Sequence, residues 1–128
     1  MNFTCNRISI SIEELGCTIS FYEKEKEEII EDGSIDEIVN AIGTYLMIQR
    51  TYPEDEYEND YYYIEMNDEE KCGELKGFKI ELSRDKFKIE WDSGKSIIEL
   101  NMDNLEYEKL KDALKIITLY KGKLIINE

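Results

Sequence analysis

The stretch that decides the fold is residues 76–117, which read KGFKIELSRDKFKIEWDSGKSIIELNMDNLEYEKLKDALKII. In its first half, apolar residues alternate with charged ones at the period of two that is typical of strands with one buried face. In its second half, the spacing becomes helical, and Asp103 with Glu106 forms a capping-box pattern. The apolar residues at helical spacing are Leu105, Leu110, Ala113, Leu114 and Ile117. Strands followed by a helix indicate an α+β domain.

The chain on either side of this stretch is mostly strand-like. Alternation predicts a strand over residues 3–12, which forms a hairpin with a second strand over residues 17–22. The other predicted strands are residues 44–51, 61–67, 76–83, 86–91 and 96–101, with an edge strand at 123–127. Ser34 and Glu37 predict the capped start of a short helix, which Gly43 ends. The charge-dense residues 23–32 fit either a short helix or a loop.

These elements predict one architecture. We expect a mainly antiparallel sheet of about six to eight strands, with the C-terminal helix packed on one face. The chain has 128 residues, which fits a two-layer single domain over residues 1–128.

Composition excludes several classes of function. The formal net charge is −14, which disfavours a nucleic-acid binder and an anionic membrane surface as partner. The chain contains no histidine, which removes Ser–His and Cys–His nucleophilic systems and most zinc sites. The three cysteines, Cys5, Cys17 and Cys72, form no CxxC pair and are expected to be reduced and structural. Residues 1–12 do not resemble a signal peptide, so we expect a cytoplasmic protein.

The acidic residues are concentrated in one part of the chain. Residues 51–70, the acidic segment, carry nine acids, no base and five of the nine tyrosines. Residues 71–128 carry 11 acids and 12 bases and are nearly balanced. Tyrosine is enriched at binding hot spots, and carboxylates around it steer a basic partner.

The acidic segment therefore contains the predicted partner-binding residues. They are Tyr57, Glu56, Glu58, Asp60, Tyr61, Asp55 and Glu54, the last two as rim charges. The alternative is a solvated loop whose tyrosines pack a strand, and alternation assigns Tyr62 to a strand face. For Arg50 we expect a structural role, such as an ion pair with Glu65 on the adjoining strand.

No motif predicts catalysis, a metal or a cofactor. A calcium loop starting at Asp55 would place Asp60 where glycine is required and Met66 where glutamate is required. The seven glycines form no phosphate-binding motif. A carboxylate-based nuclease would need cations to hold phosphate, and the acidic segment has none. We therefore predict that the protein is not an enzyme.

The order of these features resembles a known family. Tyr45-Leu46-Met47-Ile48-Gln49-Arg50 is followed by an acidic stretch that ends in Tyr63-Ile64-Glu65. A turn at Gly73, the run Glu81-Leu82-Ser83-Arg84-Asp85 and the helical stretch Tyr107 to Ile117 complete the pattern. Over residues 44–118 this resembles the Immunity protein 10 family of bacterial polymorphic-toxin systems.

The resemblance implies a small cytosolic antidote that binds and neutralises a cognate protein toxin. An acidic antidote fits a basic toxin, and the handling of charge in barnase–barstar illustrates such steering. The alternative is an acidic nucleic-acid mimic that inhibits a DNA- or RNA-binding enzyme. A mimic should spread its carboxylates over a long face, whereas residues 71–128 are balanced. The sequence leaves the oligomeric state open.

Overall fold

A computed structural model describes residues 1–26 and 33–127 of the chain. The strands are β1 (Asn2–Cys5), β2 (Arg7–Glu13), β3 (Gly16–Tyr22), β4 (Tyr45–Thr51), β5 (Tyr61–Met66), β6 (Gly73–Glu74), β7 (Phe78–Ser83), β8 (Lys86–Trp91), β9 (Gly94–Leu100) and β10 (Lys123–Asn127). The helices are α1 (Ile35–Ile42) and α2 (Asn104–Ile117), and Glu69–Lys71 forms a short 3₁₀ turn.

The strands form two five-stranded sheets. Sheet A has the order β1-β9-β8-β7-β10, and sheet B has the order β2-β3-β4-β5-β6. All pairings are antiparallel except β1 with β9 and β10 with β7, the two edges of sheet A. The α+β class and the packed C-terminal helix are confirmed. The described residues hold ten strands in two sheets, more than the six to eight expected in one sheet.

The second sheet arises where the chain changes direction at Asn6. Residues 3–12 are predicted as one strand, but β1 ends at Cys5 and β2 begins at Arg7. The side-chain nitrogen of Asn6 donates to the Glu23 carbonyl at 2.9 Å, and its side-chain oxygen accepts from the side chain of Asn101 at 2.9 Å. These hydrogen bonds hold Asn6 between the two sheets. The single alternating stretch therefore supplies β1 to the edge of sheet A and β2 to the edge of sheet B.

The two sheets pack face to face around a shared core. The rings of Phe21 on β3 and Phe87 on β8 lie 4.5 Å apart, and those of Tyr62 on β5 and Phe78 on β7 lie 6.1 Å apart. Tilted aromatic pairs at these distances add attraction to the burial of apolar area. The α2 side chains that enter the same core are Tyr107, Leu110, Ala113, Leu114 and Ile117.

Local sequence signals set the ends of both helices. Asp103 and Glu106 form the predicted capping box of α2. Ser34 caps α1 by accepting from the Glu37 amide at 3.2 Å, and Gly43 ends that helix with a φ of 71°. Leu105 differs from the prediction, because it is 66% exposed and does not face the core. Residues 27–32, part of the charge-dense stretch, lie outside the described residues.

The outer faces of the two sheets differ in chemistry. Sheet A carries a ladder of lysine and glutamate, in which Lys79 Nζ lies 3.2 Å from Glu81 and Lys88 Nζ lies 3.5 Å from Glu90. On sheet B, Thr18 faces Gln49 across β3 and β4, and Tyr63 of β5 is the next neighbour of Gln49. The outer face of sheet B is therefore mainly hydroxyl, amide and aromatic.

Candidate functional site

The predicted binding residues lie in and beside one loop that joins β4 to β5. Residues 52–60, here called the acidic loop, fold back on themselves. The Tyr57 amide donates to Asp55 Oδ1 at 2.9 Å, and the Glu54 amide donates to Glu58 Oε2 at 3.2 Å. Local side-chain bonds of this kind are typical of Asx turns. The loop therefore has a defined shape, and Tyr57 projects from it with 87% of its surface exposed.

Six of the seven predicted residues are available to a partner. Glu54, Asp55, Glu56 and Glu58 are all exposed. Tyr61 is 47% exposed and stands where the acidic loop meets the outer face of sheet B. Asp60 is different, since only 18% of its side chain is exposed and one carboxylate oxygen bonds to Arg50. Its contact with a partner stays a prediction, while its contact with Arg50 is structural.

Arg50 organises the base of the acidic loop. This residue is 6% exposed, and its Nε lies 2.5 Å from Asp60 Oδ2. One terminal nitrogen donates to the Ile116 carbonyl at 2.7 Å, near the end of α2. A cation there adds a second, shorter hydrogen bond to a carbonyl that accepts from the Leu119 amide at 3.4 Å, and it interacts favourably with the helix dipole. The proposed pair with Glu65 is wrong, because Arg50 points into the core side of sheet B.

Two tyrosine rings flank the Arg50 guanidinium. Its central carbon lies 4.7 Å from the ring centroid of Tyr52 and 5.0 Å from that of Tyr120. Cation–π contact of this geometry adds stability, most of all where water is excluded. Tyr52 opens the acidic loop and Tyr120 follows α2, so Arg50 ties these two segments together.

A third segment joins them at the same end of the molecule. The Tyr52 amide donates to the Leu15 carbonyl at 2.9 Å, which places the β2–β3 turn beside the acidic loop. We call this region the three-segment end. It comprises residues 14 and 15, the acidic loop, and residues 118–122 between α2 and β10.

Sequence reasoning missed the contribution of the two other segments. Leu15 is 68% exposed, Leu119 62% and Tyr120 74%. Leu119 and Tyr120 lie just beyond the last residue of α2. They are two apolar residues that do not belong to the helical pattern of buried positions. That position is the only sequence signal, and it does not reveal that Arg50 brings Tyr120 beside Tyr52.

Tyrosines also mark both faces of β5. Tyr62 is 2% exposed, which confirms its assignment to a buried strand face. Glu65 accepts hydrogen bonds from the Tyr45 hydroxyl at 3.1 Å and the Tyr63 hydroxyl at 3.4 Å on the outer face. Burial raises the pKa of Tyr45 from 10.0 to about 12, and the negative charge of the Glu65 carboxylate is the second cause of this rise. Burial also raises the pKa of Tyr63 and of Tyr62.

The raised pKa of Tyr45 predicts a loss of stability in alkali. The folded state holds the proton more tightly than the unfolded state, so this contribution is complete below pH 10 and is lost as pH rises through about 12. Tyr45→Phe keeps the ring but cannot ionise. We expect urea unfolding of this variant to show a shallower fall in stability between pH 10 and about 12.

The exposed Tyr57 provides the control for this experiment. Tyr57→Phe removes a hydroxyl from a residue that is 87% exposed, so its alkaline slope is the reference for that of Tyr45→Phe. Equal alkaline slopes in wild type and Tyr45→Phe would contradict the assignment. Tyr62 and Tyr63 retain their own alkaline contributions in both variants.

Metal-binding, nucleophilic and membrane-spanning features are the remaining candidates in residues 1–26 and 33–127. These residues contain no cluster of three or more Cys, Asp or Glu side chains that could hold a metal ion. Burial raises the pKa of the Cys5 and Cys17 thiols, which favours the unreactive protonated form. No helix in this part of the chain has the length and apolarity needed to cross a membrane.

The chain was compared with protein-family models, with curated proteins and with solved structures. None of the three comparisons found a match.

Proposed function

We propose that the protein is an immunity protein, which binds a cognate bacterial polymorphic toxin and neutralises it. The observation that carries the proposal is the exposure of four carboxylates around Tyr57 on a loop of defined shape. The resemblance of residues 44–118 to Immunity protein 10 supplies the class of partner. Such a protein acts in the cytoplasm, needs no catalytic group and works by covering a surface of the toxin.

The charge distribution supports a basic toxin. Glu54, Asp55, Glu56 and Glu58 lie in the acidic loop, which contains no cation to offset them. Exposed charges of one sign speed the encounter with an oppositely charged protein and lose this effect at high salt. Tyr57 adds a large, rigid contact surface at the centre of the charge, as is common at binding hot spots.

The nucleic-acid mimic has less support. A mimic needs carboxylates along an extended face, but the outer face of sheet A alternates Lys79, Glu81, Lys88 and Glu90 in ion pairs. The acidic loop instead carries four exposed acids within five residues and no cation. That arrangement favours recognition of one basic protein surface.

The test neutralises the acidic loop. We expect the combined variant Glu54→Gln, Asp55→Asn, Glu56→Gln and Glu58→Gln to bind the toxin about 10- to 100-fold more weakly, mainly through a slower association rate. The protein to be tested as toxin is the C-terminal domain of whatever large protein the neighbouring upstream reading frame encodes. Surface plasmon resonance at several salt concentrations measures the change, and co-expression measures protection from the toxin.

A matched control removes the same charge elsewhere. Glu69→Gln, Glu70→Gln, Glu74→Gln and Asp112→Asn neutralise four exposed acids outside the acidic loop. This control should retain wild-type affinity. Equal weakening by both variants would indicate a non-specific charge effect, and unchanged binding by the loop variant would exclude the acidic loop as the interface. Absence of an upstream toxin domain would count against the immunity function itself.

A further inference from the structure

We infer that the three-segment end is a composite docking surface, with Leu15 and Tyr120 as apolar anchors inside a ring of carboxylates. Its occupant is a positively charged protein surface that presents arginine or lysine together with an apolar side chain. The inference rests on the proposed function for the identity of that protein, the toxin. It adds two chain segments, neither of them acidic-loop sequence, to the interface.

The first step is the size of the exposed apolar groups. Leu15 is 68% exposed and Tyr120 is 74% exposed, although each lies beside a well-packed element. Single exposed apolar residues are ordinary on protein surfaces, but adjacent ones indicate an interaction site. Tyr52 connects these two residues. Its backbone amide donates a hydrogen bond to the Leu15 carbonyl, and its ring lies against the same Arg50 guanidinium as the ring of Tyr120.

The second step is the rigidity of the patch. The buried Arg50 is bonded to Asp60 and to the Ile116 carbonyl, so it fixes the acidic loop and the end of α2 in one geometry. Gly16, the residue after Leu15, packs closely against the backbone of β4. A Cβ added to Gly16 would lie only 2.4 Å from the Arg50 carbonyl oxygen, so the β2–β3 turn is held against the same strand. A surface that is already ordered loses less conformational entropy on binding.

The third step is the charge around the patch. Six exposed acids belong to the end of β2, the β2–β3 turn and the acidic loop: Glu13, Glu14, Glu54, Asp55, Glu56 and Glu58. Two cations lie at the same end: Arg50, which is buried and paired with Asp60, and Lys121, whose Nζ lies 5.1 Å from the centroid of the Tyr62 ring. The acids outnumber them, so the rim has a net negative charge. An apolar centre with a polar rim is the usual anatomy of a protein interface, and the sign of this rim selects a cationic partner.

A buried polar atom beneath the patch provides an independent indication. The Tyr62 hydroxyl has no hydrogen-bond partner among the described residues, although the residue is only 2% exposed. Arg50, Asp60 and Tyr120 are the charged and polar groups that act on this hydroxyl. Buried polar atoms are nearly always bonded, so an unpartnered hydroxyl beneath the three-segment end is an exception of the kind found near functional surfaces.

The test uses a short acetylated peptide of alternating arginine and leucine as the probe. Titrated into the isotope-labelled chain, it should shift backbone NMR signals at Leu15, Tyr52, Tyr120 and the acidic loop. Leu15→Ser and Tyr120→Ser should each weaken its binding about tenfold or more. Leu105→Ser is the matched control, because Leu105 is 66% exposed at the opposite end of α2, and it should bind as wild type.

Four results would overturn the inference: no saturable shift, shifts centred on the outer face of sheet A, equal binding by the Leu15 and Leu105 variants, or equal binding of a glutamate–leucine peptide. Thermal unfolding of each variant separates lost folding from lost binding. The same variants tested against the toxin domain separate this inference from the proposed function. If the toxin binds wild type and Leu15→Ser equally, the docking surface is wrong and the function stands. If only the peptide binds, the function is wrong.

Discussion

Replacing Arg50 with alanine is expected to lower the free energy of unfolding by about 3–5 kcal/mol, the usual cost of removing one partner of a buried ion pair. The substitution leaves the Asp60 carboxylate, 18% exposed, without its cation. It also removes the short hydrogen bond to the Ile116 carbonyl and the guanidinium between Tyr52 and Tyr120. Urea unfolding followed by circular dichroism measures the change.

Two further variants identify the cause of that loss. Arg84→Ala is the control, because Arg84 is an exposed arginine that also donates to a backbone carbonyl, that of Met102 at 2.8 Å. This variant should lower the free energy of unfolding by less than about 1 kcal/mol. Arg50→Lys keeps the charge but cannot bond Asp60 and Ile116 as a planar fork, so it should recover only part of the stability. If Arg50→Ala and Arg84→Ala are equally mild, the structural role of Arg50 is excluded.

Replacing Gly122 with alanine is expected to destabilise the protein by about 2–4 kcal/mol, from overpacking together with backbone strain. The added Cβ would lie 2.5 Å from ring atoms of Phe78, which packs against Tyr62 in the core. Gly122 also has a φ of 83°, a conformation that residues with a Cβ rarely adopt. The melting temperature should fall by roughly 4 °C for each kcal/mol.

Gly77 provides the matched control for this experiment. A Cβ at Gly77 meets nothing within 4 Å, and the residue is not in the left-handed region. Gly77→Ala should therefore leave stability within about 1 kcal/mol of wild type, or raise it slightly by restricting the unfolded chain. Equal melting temperatures for the two alanine variants would contradict the close approach of Gly122 to Phe78.

Sequence patterns predicted those parts of the fold that depend on near neighbours. The capping box at Asp103, the hairpin of β2 and β3, and the edge strand at 123–127 each follow from residues a few positions apart. The division into two sheets was not predictable in this way. It depends on two crossings between the sheets, one from β6 to β7 and one at Asn6, whose partners Glu23 and Asn101 are distant in sequence.

The same distinction applies to the candidate site. Composition located the acidic loop, because exposed carboxylates are apparent without a structure. It could not show that Asp60 turns inward to Arg50, or that the segments of Leu15 and Tyr120 lie beside the acidic loop. These relations cross sheets and loops, and the hydrophobic period along one segment contains no information about them.

The parallel edges of sheet A have a consequence for the order of folding. Asn2 pairs with Ile97, and Lys123 pairs with Lys79, so both edges join distant parts of the chain. Sheet B instead pairs strands that follow one another in sequence, from β2 to β6. Since non-local pairing is slow, sheet B should nucleate first and sheet A should close last. The acidic loop joins β4 to β5 of sheet B, so it would belong to the sheet that forms first as the chain is synthesised.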